Sequence, residues 1–116
     1  MTFGQHVRSV REALKASDRA YSLRKVAVRV GVEPAYLSKV ERGRVPPPSE
    51  ATIRRIAHEL GEDPDVLLAM AGKVSSDLHE IIVRRPKLFS SLLRELRAAP
   101  DHAVLRIVRV VREGDW

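Results

Sequence analysis

Residues 22–43 read SLRKVAVRVGVEPAYLSKVERG, and this stretch decides the fold. Leu23, Val26, Ala27 and Val30 recur at helical spacing before Gly31, and Leu37 and Val40 do so after it. Glycine at position 31 supplies the positive φ of a sharp helix exit, and Pro34 suits the first position of the next helix. Two short helices therefore meet at a tight turn and cross steeply. The small Ala27, four residues before the turn, lets the second helix approach the first. Val26, Val28 and Val30 alternate as a strand would. No partner strand is in sight, whereas a helix explains Ser22, Ala27, Gly31 and Pro34 together. On the helical reading Ala35, Tyr36, Ser38, Lys39 and Arg42 point outward, the polar and cationic set that a helix entering a DNA major groove needs.

At Ser22-Leu23-Arg24-x-Val26-Ala27, at Gly31-Val32-x-Pro34-x-Tyr36-Leu37-Ser38-x-Val40-Glu41-Arg42-Gly43, and at Pro48-Ser49-x-x-Thr52-Ile53-x-x-Ile56-Ala57-x-x-Leu60-Gly61, the chain resembles the Xre family of helix-turn-helix regulators. That group includes the phage Cro and repressor DNA-binding domains, and the likeness covers about the first seventy residues. It implies a recognition helix from Pro34 to Arg42, with Ala35, Tyr36, Ser38 and Lys39 near base edges. Ser22, Arg24, Lys25, Arg42 and Arg44 would then fix register on phosphates. The family commonly has Ser or Thr where Glu33 stands, and Glu is a poorer helix cap. An acid there repels phosphate, so its use would be to accept from a cytosine amino group.

Charge supports the same region. The 116 residues carry a formal net charge of +6. Nine basic residues against three acids between Arg19 and Arg55 account for all of it, and the rest of the chain balances. The sequence has no cysteine, which removes disulfides and thiol chemistry. No run approaches eighteen apolar residues, and the first twelve are too charged for a signal peptide, so no membrane role and a cytoplasmic location are expected. His6, His58, His79 and His102 form no metal-spaced pair. No phosphate loop, nucleophile elbow or carboxylate pair stands out either. No metal, no cofactor and no catalytic residue are assigned, and an enzyme is the weakest reading.

Outward from the turn, Phe3, Val7, Val10 and Leu14 mark a scaffold helix from near Thr2, with His6, Arg8, Arg11 and Lys15 off that stripe and expected in solvent. Residues 16–19 read as a loop. Pro46, Pro47 and Pro48 stiffen a spacer, Ser49 caps a helix carrying Ile53, Ile56, Ala57 and Leu60, and Gly61 ends it. Asp63 and Pro64 open a fifth helix, with Val66, Leu67 and Met70 expected in the core. The all-α, five-helix domain is expected to span residues 1–71.

Residues 72–116 read as an extension of about three short helices. Asp77 with Glu80 resembles a capping box, Arg85 and Pro86 interrupt the first helix, Pro100 ends the second, and Asp101 caps the third. Leu88, Phe89, Leu92, Leu93 and Leu96, then Leu105, Val108 and Val111, are more apolar than three short helices can hide, so they are the dimerisation candidates. Trp116 either stacks in such an interface or frays. The expected function is a sequence-specific double-stranded DNA-binding transcriptional regulator, a repressor working as a homodimer on a pseudo-palindromic operator. The rival is an antitoxin-type module whose C-terminal helices bind a partner protein while the N-terminal domain autoregulates.

Overall fold

The computed structural model describes residues 1–114 and 116, and among these the chain is all-α. Its helices are α1 (Phe3–Lys15), α2 (Leu23–Val30), α3 (Pro34–Glu41), α4 (Glu50–Leu60), α5 (Pro64–Met70), α6 (Ser76–Arg84), α7 (Pro86–Leu96) and α8 (Asp101–Glu113), with one 3₁₀ turn at Arg19–Tyr21. The valine alternation in α2 is helical, and the chain divides into two units, Met1–Ser76 and Asp77–Trp116.

The first unit starts its helices with side-chain caps. Thr2 and Gln5 satisfy each other's backbone N–H groups at the head of α1, and Ser22, Ser49 and Asp63 accept from the first turns of α2, α4 and α5. Glu33 makes no such bond, and Pro34 opens α3 in its place. Gly31, at φ 85°, ends α2, and the N–H groups of Gly31 and Val32 both return to the Ala27 carbonyl at 2.9 and 3.0 Å. The chain can then double back into α3 within three residues.

The helices converge on one core. Phe3 and Val7 of α1, Val26, Ala27 and Val30 of α2, and Leu37 and Val40 of α3 meet Ile53, Ile56, Ala57 and Leu60 of α4 and Leu67 and Leu68 of α5. Val10, Leu14, Tyr21 and Tyr36 pack around it, half-buried. Each full burial of a Val, Leu, Ile or Phe side chain stabilises by roughly 1.5–3 kcal/mol before entropy is charged against it.

Three expectations need correction here. Arg11 is not in solvent: it is 3% exposed and donates from Nε and one terminal nitrogen to the carboxylate of Glu41, itself 4% exposed, at 2.8 and 3.0 Å. Arg11 follows Val7 by four residues and so shares its inward face. His6 also has a partner, with its Nε2 2.7 Å from Glu62. In α5, Leu68 joins Leu67 inside while Val66 and Met70 stay exposed, because a seven-residue helix buries one narrow side and that side falls on the consecutive leucines.

The unit continues to Ser76. Lys73 donates its N–H to the Leu68 carbonyl, Ser75 is buried, and Ser76 donates from its N–H and hydroxyl to Glu50 at 3.1 and 3.0 Å. Helix α6 thus begins at Ser76, with Asp77 inside its first turn and not before it.

In the second unit, α6, α7 and α8 contain no buried residue and scarcely pack on one another. Of the apolar positions singled out from the sequence, Phe89 and Leu96 are half-buried, whereas Leu88, Leu92, Leu93, Leu105, Val108 and Val111 are exposed. Helix α7 ends at Leu96, four residues ahead of Pro100, and Asp101 is the first residue of α8 with Pro100 in the cap position. Trp116 is exposed.

Candidate nucleic-acid interface

Helix α3 turns Leu37 and Val40 into the core and leaves Ala35 and Lys39 exposed on its other side. Ser38 and Tyr36 are half-buried, and Tyr36 packs against the core, so less of these two is offered to a ligand. Glu33 is exposed at the head of the helix. Arg42 caps its end, Gly43 turns the chain at φ 70°, and the Arg44 N–H returns to the Lys39 carbonyl at 2.9 Å. That closure holds two exposed arginines directly after α3.

A second group stands at the start of α2. The Ser22 hydroxyl accepts from the Lys25 N–H at 3.3 Å, and Arg24 and Lys25 are exposed in the first turn. An anion there would meet both cations and the positive end of the helix. Among the described residues, Arg24, Lys25, Lys39, Arg42 and Arg44 form no ion pair.

Other charges in the basic segment are committed internally. Arg29 donates to Glu59 at 2.6 Å and lies 5.4 Å from the Tyr21 ring centroid, tying α2 to α4 and to the 3₁₀ turn. Arg54 donates to Glu50 at 3.2 Å along α4. The negative charge of Glu41 is taken up by Arg11, from outside the segment. Glu33 is therefore the one acid of the segment left exposed and unpaired among the described residues.

The Arg11–Glu41 pair is the part of this site that sequence reasoning missed. Arg11 also donates to the Tyr21 carbonyl at 3.2 Å and to Glu12 at 3.2 Å, so one guanidinium joins α1, the turn before α2 and the last residue of α3. Its hydrogen bond to Glu41 outweighs the cost of burial and raises the arginine pKa above its ordinary value. Gly4 acts at the same junction: a Cβ on Gly4 would run into the backbone carbonyls of Val40 and Glu41. The end of α3 is thus positioned by a close backbone approach and a buried charge pair. The four-residue step from Val7 to Arg11 and from Leu37 to Glu41 was the available signal.

Five helices in which the second and third meet at a glycine turn, with the third presenting exposed polar groups, define the helix-turn-helix class. The comparisons agree. Residues 2–70 match the helix-turn-helix domain family, and the chain belongs to that family. A curated relative, an uncharacterized HTH-type transcriptional regulator (RghRB) of Bacillus subtilis strain 168, is 34% identical over 79 residues, which is 68% of this chain and 53% of the relative. The chain thus spans about half the length of that relative. No solved structure matches the present chain. Among the described residues no cluster of His, Cys, Asp or Glu is arranged to hold a metal, and no helix is long and apolar enough to cross a membrane.

Proposed function

We propose that the chain is a sequence-specific, double-stranded DNA-binding transcriptional regulator that works in the cytoplasm as a homodimer on a pseudo-palindromic site. The observation that carries this reading is the joint exposure of Ala35 and Lys39 on α3 with Arg24, Lys25, Arg42 and Arg44 around it, none of the cations paired among the described residues. Lys39 donates to a guanine edge, Ala35 offers its methyl to a thymine methyl, and Ser38 and the Tyr36 edge add polar contacts. Glu33 accepts from cytosine. Ser22, Arg24, Lys25, Arg42 and Arg44 hold phosphates and so set register without reading sequence.

One helix reads only a few base pairs, and pairing two across a two-fold axis doubles the site. We assign residues 1–71, with the strapped segment to Ser76, to DNA reading, and the helices beyond to self-association. Repression is the favoured sense because occupying a site asks for no surface beyond these two. A partner protein on α6–α8, as in an antitoxin, is supported by the same absence of buried residues in those helices.

The experiment is selection of DNA fragments from a random pool by the purified chain. The expected product is an inverted repeat whose half-sites are centred about 34 Å apart, one helical turn. Recovery of no enriched sequence would remove the base-reading role of α3, and a single asymmetric site would remove the two-fold.

A further inference from the structure

We propose that two copies of the chain pair through antiparallel α8 helices, in the register that sets Asp101 against Arg112 of the second copy and Leu105 against its Val108. This rests on the homodimer reading above and gives it a defined surface.

Asp101, Leu105, Val108 and Arg112 follow one another at intervals of four, three and four, which keeps them on a single stripe of α8. The whole stripe is exposed: Leu105 is 62% and Val108 43% accessible, and the two charged residues lie in solvent. Neither Asp101 nor Arg112 makes an ion pair among the described residues. The stripe therefore reads acid, apolar, apolar, base from its N-terminal to its C-terminal end.

That order is complementary to itself only when reversed. Laid antiparallel, each end brings an acid to a base, and the two central layers each bring a leucine to a valine. Laid parallel, aspartate would face aspartate and arginine would face arginine. The antiparallel arrangement is also a two-fold one, so every contact occurs twice, and the helix dipoles oppose. On one flank Val104 meets Val111 of the second copy, which extends the apolar seam. On the other, His102 meets Arg109 of the second copy, a contact that adds no attraction. Ala103, Ile107 and Val110 lie on the far side of α8, outside this seam.

The pattern selects a second copy over an unrelated partner because the chain supplies both halves of the match. The seam is short, so the dimer is a modest one in solution, and two half-sites on DNA reinforce it by holding both copies on one duplex.

Charge reversal in the full chain tests this, with self-association measured by sedimentation equilibrium. Wild type is expected to dimerise. Asp101→Arg and Arg112→Asp are each expected to weaken dimerisation at least about tenfold, since each replaces two attractive contacts with two repulsive ones. An equimolar mixture of the two variants is expected to associate again as a heterodimer, where all four charges pair, and the Asp101→Arg/Arg112→Asp double variant is expected to recover self-association. Loss caused by local unfolding of α8 would persist in the mixture, so recovery there identifies the contact. A wild-type dimer that both single variants leave unchanged, or whose loss mixing fails to repair, overturns this register while the dimer stands. A monomeric wild type overturns the homodimer reading and this surface with it.

Discussion

The two units are built from the same kind of sequence and end in opposite states. Both consist of short helices with apolar stripes, yet the first unit buries thirteen apolar side chains in one core, and helices α6–α8 bury none. Stripe quality does not separate them, since Leu88, Leu92 and Leu96 recur at helical spacing as Ile53, Ile56 and Leu60 do. Convergence does. In the first unit, tight turns at Gly31 and Gly61 fold each stripe against the others, so each helix completes its neighbours. In the second, the helices scarcely touch one another and their faces look outward. The counterpart proposed for these stripes is a second copy of the chain.

The largest expected effect falls on the buried charge pair. Arg11→Met, which leaves the buried Glu41 carboxylate unpaired, is expected to cost about 3–5 kcal/mol, and Glu41→Ala less, because Arg11 keeps Glu12 and the Tyr21 carbonyl. The double change Arg11→Met/Glu41→Leu should recover most of it. Urea denaturation of the full chain measures all three; if the singles cost no more than an exposed ion pair, the end of α3 is held by something else. Gly4→Ala comes next, at about 1–3 kcal/mol by the same measurement, because the added methyl meets backbone carbonyls that have no rotamer to yield. A neutral result would mean that α1 shifts freely against α3.

Smaller effects divide the surface proposed to face DNA. Lys39→Ala is expected to lose roughly 1–3 kcal/mol on the preferred site and much less on random DNA, read by competition gel shift. Equal loss on both sends Lys39 to the phosphate group. Arg24→Ala should instead weaken both alike and flatten the slope of log affinity against log salt by about 0.9. A slope that stays put takes Arg24 off the backbone.

Much of the first unit was legible from residues whose effect is local. Ser22, Ser49 and Asp63 cap, Gly31 and Gly61 turn, and Pro34 and Pro64 open helices through their own backbone geometry. What was not legible depends on a distant partner. Arg11 looks like any surface arginine until Glu41 is seen beside it, thirty residues on, and Gly4 looks idle until α3 lies against it. Val66, Leu67 and Leu68 are consecutive apolar residues, and periodicity cannot choose among them when the helix is only seven residues long. For the set proposed to face DNA the residue types could be read, but not how far Tyr36 and Ser38 sink toward the core.

The division of labour between the units is the central claim, and shortening the chain tests it most directly. A chain ending at Ser76 keeps the whole core, the buried Ser75 and the Glu50–Ser76 bonds. It is expected to melt cooperatively, to be monomeric by light scattering, to bind an isolated half-site as the full chain does, and to bind the full inverted repeat much more weakly at equal concentration. If the shortened chain remains a tight dimer with undiminished affinity for the full site, the two-fold lies within the first unit, and α6–α8 serve a different partner.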